Sequence, residues 1–149
     1  MQIIKDRQLV ENTWQFIADD QELPASGNIT VSAHRWQAQQ SQLQAHPGDI
    51  GLRLSSTDNT DSISGLEQLA LIELDFPVFT DGRLFSHARL LRSKYGYNGE
   101  IRARGQFLAD QVFYLSRIGV NAFELESKLI PTALAALDDF SVFYQTTAA

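Results

Sequence analysis

At 149 residues, with 44% hydrophobic and 20% charged residues, the chain has the size and composition of one globular domain built on one core. A net charge of −6 argues against binding along a nucleic-acid phosphate backbone, and the absence of cysteine removes disulfides, thiolate catalysis, cysteine-ligated iron–sulfur clusters and dithiol redox chemistry. No apolar run reaches signal-peptide or membrane-spanning length, so a cytoplasmic protein without membrane association is expected.

Residues 1–28, including the acidic and polar stretch Asp19 to Gly27, read as an N-terminal arm or hairpin before an α/β domain over 29–149. Ile29 to Val31 is a strand, and Ser32 is placed to cap a helix through about Leu43, broken by His46, Pro47 and Gly48. Ile50 to Leu54 is a second strand, followed by a polar loop over Ser55 to Ser62 and a brief helix containing Leu66 and Leu69. The core motif spans 71–125. Leu71 to Phe76 is its first strand, and Leu84, Ala88, Leu91 and Tyr95 recur at helical spacing up to Gly96, suited to a position past a helix end. Gly99 to Arg104 is a fourth strand, Phe107 to Ile118 a helix closed by Gly119, and Ala122 to Leu125 a fifth strand. A last helix follows Pro131. This alternation predicts a single α/β domain with a mostly parallel sheet and flanking helices. The expected arrangement is three-layered, Rossmann-like or flavodoxin-like, with a partial barrel as second choice.

Half of the positive charge is concentrated in one window of this motif. Arg83, Arg89, Arg92, Lys94, Arg102 and Arg104 are opposed between Gly82 and Ala109 only by Glu100, a local charge of +5 in an acidic protein. Such a patch suits an anion or an acidic partner. In open parallel sheets ligands gather at the carboxyl ends of strands, and two basic turns fall there. One is Thr80-Asp81-Gly82-Arg83 and the other is Arg104-Gly105. Arg83 and Arg104 beside helix N-termini would make an oxyanion site, with Arg102 converging on it; Asp81 as a helix cap and Gly82 as a turn residue are the plainer reading of the first loop. Arg102 in a strand expected to be apolar needs a partner, and Glu73 and Asp75, on one face of the preceding strand, are placed to pair with it or with Arg104. On the helical wheel Arg92 borders the apolar stripe, whereas Arg89 points nearly away from it and is freer to meet a partner protein.

Other chemistry is weakly signalled. His34, His46 and His87 lack metal-ligand spacing, no phosphate-loop or dinucleotide fingerprint is present, and no catalytic residue or cofactor ligand emerges.

The sequence Phe76-Pro77, Asp81-Gly82-Arg83, Ser86, Ala88-Arg89-Leu90-Leu91-Arg92, Gly96-Tyr97, Gly99-Glu100-Ile101-Arg102-Ala103, Gly105, Asp110-Gln111, Arg117, Gly119 and Ala122-Phe123 resembles the bacterial family called domain of unknown function 934. The likeness extends to Val31-Ser32 and Arg35-Trp36 upstream and to Phe140-Ser141-Val142 and Tyr144-Gln145 near the end. Leu84, Phe85, Ile118 and Val120 depart from the family's usual residues in ways that leave the arginines intact. Members are often labelled probable oxidoreductases involved in sulfite reduction. The resemblance implies an accessory protein of assimilatory sulfite reduction, docked to a sirohaem sulfite or nitrite reductase. The residues expected to bind that partner or an anion are Asp81, Gly82, Arg83, Ser86, Arg89, Arg92, Arg102, Arg104 and Asp110. The rival expectations are an enzyme or carrier whose arginines hold sulfite or sulfate, and a flavin- or nicotinamide-dependent oxidoreductase.

Overall fold

Each apolar run from Ile29 onward forms a strand. The computed structural model describes residues 1–77, 83–105 and 111–137. A hairpin of β1 (Gln2–Lys5) and β2 (Gln8–Glu11) leads into β3 (Trp14–Phe16) and β4 (Asn28–Ser32). Helices α1 (Ala33–Ala38) and α2 (Gln40–Gln44) precede β5 (Ile50–Leu54), and two 3-10 turns precede β6 (Leu71–Phe76). Then come α3 (Arg83–Ser93), β7 (Glu100–Gly105), α4 (Val112–Arg117), β8 (Ala122–Phe123) and a helix over 130–137.

Ser32 caps α1 as expected, its hydroxyl accepting the Arg35 N–H at 3.1 Å. The helix predicted through Leu43 is instead two pieces, because Gln39 leaves helical geometry at φ −126°. Trp36 and Gln40, on either side of that break, both donate to the Ser64 carbonyl, at 2.8 and 3.1 Å. Tertiary hydrogen bonding thus overrides helix continuity here. The helix expected from Phe107 is described only from Val112, and its closure at Gly119, at φ +111°, is as predicted.

All eight strands join one sheet in the order β2-β1-β8-β7-β6-β5-β4-β3. From β3 to β8 every pairing is parallel, and β1 runs antiparallel to both β2 and β8. The parallel strands follow one another in chain order with no reversal. Right-handed crossovers therefore place the helices on one face, whereas a doubly wound sheet reverses once and is covered on both. The arrangement is the barrel-like one of the two expected. Ile72, Leu74 and Phe76 of β6 and Ile101 and Ala103 of β7 meet Leu84, Ala88 and Leu91 of α3 in the main core.

The N-terminal segment is part of this sheet. Strands β2 and β3 are its opposite edges, yet only Asn12 and Thr13 separate them. Eight flat strands would set the edges about 34 Å apart, while three Cα–Cα steps reach about 11 Å at most. The sheet is therefore curled, and residues 8–16 tie its edges together.

Candidate functional site

The curl gives the face opposite the crossover helices an interior, and charged residues line it. By the two-residue period Glu73 and Asp75 of β6 face the same way as Glu100, Arg102 and Arg104 of β7, and the register sets Glu73 beside Arg102 and Asp75 beside Arg104. Arg102 is only 2% exposed. Its guanidinium donates through Nε and Nη2 to Glu100 Oε2 at 3.0 and 2.7 Å, and through Nη1 to Asn12 Oδ1 at 3.0 Å. Lys5 Nζ adds a second cation 3.2 Å from Glu100. Of the two carboxylates expected to pair with Arg102 or Arg104, Asp75 pairs with Arg104 as expected, whereas Glu73 is taken by Arg53 and Arg102 turns to Glu100. Residues two apart on one strand share a face, so Glu100 is the nearer carboxylate. Glu73, itself buried, accepts from Arg53 Nε at 3.3 Å, and Arg53 lies 3.8 Å over the Phe16 ring.

Arg104, nearer the carboxyl end of the same face, bridges Asp75 at 2.6 Å and Glu124 at 2.9 Å. Burial alone would lower the Arg104 pKa, but Asp75, Glu124 and Glu73 outweigh it and the net shift is upward. Lys5, Arg53, Arg102 and Arg104 are thus matched by Glu73, Asp75, Glu100 and Glu124. A small oxyanion entering here would have to displace carboxylates already paired with these cations.

Arg92 is a structural staple. Its guanidinium donates to the carbonyls of Gly119, Tyr97 and Gly99 at 2.7–3.0 Å, tying the end of α4 to the turn before β7. Gly119 leaves room for it, since a Cβ there would overlap Arg92 Cγ. Burial lowers the Arg92 pKa, and no carboxylate offsets it; the carbonyl dipoles hold the charge.

Arg83 and Arg89, the remaining arginines of the basic window, lie on the helix side. Helices α3 and α4 carry Arg83, Arg89, Arg92 and Arg117 and contain no acidic residue. Arg89 is exposed, and its Nη2 donates to the hydroxyl of Tyr114 on α4, with the guanidinium 5.7 Å from the ring centre. Tyr114 packs edge-on against Phe85 at 5.5 Å, and Phe85 against Phe76 at 5.4 Å. Arg83 and Ser86, with His87, line a separate cleft of about 340 Å³ against Asp58, Thr60 and Asp61 of the β5–β6 connection.

The expected convergence of Arg83 with Arg102 and Arg104 does not occur among the described residues. Arg83 begins a helix on one face of the sheet, and the other two point from the opposite face into the curl. The single basic patch of the sequence is divided three ways: a neutralised interior, a staple, and a basic helix face. Asp81, Gly82 and Asp110 lie outside the described residues. Sequence reasoning missed Arg53, as anomalous in an apolar strand as Arg102, and Glu100, the carboxylate two residues before it. It also missed Tyr114, which carries no local signal.

Residues 51–149 match the family described as "Bacterial protein of unknown function (DUF934)". The chain belongs to this family. The DUF934 match covers the arginines of the sheet interior and of α3 and α4, from Arg53 to Arg117, while β1 to β4 precede it. A search of curated proteins gave no match. Among the described residues no helix is long and apolar enough to cross a membrane, and no group of three His, Asp or Glu side chains is placed to hold a metal ion.

Proposed function

We propose that this DUF934 protein is an accessory component of assimilatory sulfite reduction that docks to a sirohaem sulfite or nitrite reductase through the α3–α4 face. The metabolic context is the one implied by the family resemblance. The observation that carries the docking surface is Arg89: exposed, held by Tyr114, and without a carboxylate partner among the described residues. A protein of net charge −6 that keeps two adjacent helices free of acids presents there a local field suited to an acidic surface. The reading in which arginines hold sulfite draws less support, because Arg102 and Arg104 are already neutralised.

The test is association with a purified sirohaem sulfite reductase at several salt concentrations. Reversing a charge at the edge of an interface acts mainly on the encounter rate, so Arg89→Glu is expected to slow association about tenfold at low salt and flatten its salt dependence. Absence of micromolar binding by the wild-type protein, or unchanged association of Arg89→Glu, overturns the proposal.

A further inference from the structure

Three large hydrophobic side chains are exposed among the described residues: Met1, Leu9 and Tyr114. The first two belong to the N-terminal hairpin, whereas Tyr114, 43% exposed, stands on the acid-free helix pair. Its ring is fixed from below. Phe76, buried at the end of β6, supports Phe85, and Phe85 meets the Tyr114 ring edge-on. Its hydroxyl is fixed from the side by Arg89. A rigid tyrosine beside an arginine, with apolar support beneath, has the composition of an interface hot spot, because little side-chain entropy is lost when the ring is covered.

We infer that Tyr114 is the anchor of the docking surface, covered in the complex by an apolar hollow of the partner, and that its hydroxyl holds Arg89 toward a carboxylate at that hollow's rim. The inference rests on the docking reading above and assigns the two residues different kinetic roles. Arg89 acts on encounter, and Tyr114 acts on lifetime. The occupant is an acidic protein surface, since two helices with three exposed arginines, Arg83, Arg89 and Arg117, and no acid disfavour a basic one.

The experiment measures association and dissociation of Tyr114→Ala, Tyr114→Phe and Arg89→Glu on an immobilised sirohaem sulfite reductase, with unchanged thermal unfolding as the control for folding. Tyr114→Ala is expected to dissociate at least about tenfold faster with association within about twofold of wild type. Tyr114→Phe keeps the ring and is expected to dissociate within about threefold of wild type, while its association loses part of its salt dependence. As a second readout, nitration by tetranitromethane should modify Tyr114 in the free protein and spare it in the complex. If Tyr114→Ala dissociates at the wild-type rate, or Tyr114 is nitrated equally in the complex, while Arg89→Glu still slows association, the anchor is wrong and the docking reading stands. If Arg89→Glu associates normally or the wild-type protein does not bind, both fall.

Discussion

The hydroxyl of Tyr97 donates to the Leu69 carbonyl at 3.0 Å from a buried site. Burial raises its pKa from 10.0, Arg92 works against that shift and Glu100 adds to it. A raised folded-state pKa means the native protein holds this proton more tightly than the unfolded chain does, so the stabilisation is complete below pH 10 and is lost as the pH climbs above it. Tyr97→Phe is therefore expected to cost about 1 kcal/mol at neutral pH, yet to show a flatter loss of stability above pH 10 in urea titrations. Arg102→Ala is a harsher change. It leaves Glu100 buried with only Lys5 as a charged partner, at an expected cost of about 3–5 kcal/mol in the same titration. That an arginine in an apolar strand must be paired was legible from burial alone, but which carboxylate paired with it depended on how four strands share one interior.

Among the elements, the core motif was the most legible part, because its apolar spacing changes cleanly from strand to helix and glycines mark the ends. Strands β6, β7 and β8 and helix α3 all fall where the pattern put them. The hairpin and β3 were less legible, since strands of three or four residues resemble an arm until their partners are known. Asn12 is the hinge between them. Its side chain accepts from the Trp14 N–H at 3.0 Å as well as from Arg102, so one residue turns the chain and fastens it to β7. Asn12→Ala removes both bonds and leaves part of a buried guanidinium unsatisfied. It is expected to cost about 1.5–3 kcal/mol, with hydrogen exchange accelerated first in β2 and β3.

At the scale of the whole molecule, class and strand direction were readable and closure was not. Alternating strands and helices require parallel pairing, whichever way the sheet then curves. The curvature is decided by which strands lie at the edges, and here the edges are set by the first 16 residues, in which β1 pairs with β8 at the far end of the described chain. The same distance separates the candidate residues: the window from Arg83 to Arg104 is continuous in the chain but crosses the sheet, so neighbours in sequence emerge on opposite faces.

Ile4 of β1 pairs with Phe123 of β8, and Ile3 and Ile4 are both buried. On a ribosome adding roughly 5–20 residues per second, β1 is made first and its neighbour in the sheet follows some 6–24 s later. During that interval Ile3 and Ile4 lack the β8 neighbour beside which they are buried, and the parallel strands accumulate with one edge open. Vectorial synthesis therefore runs against the order of assembly in this protein.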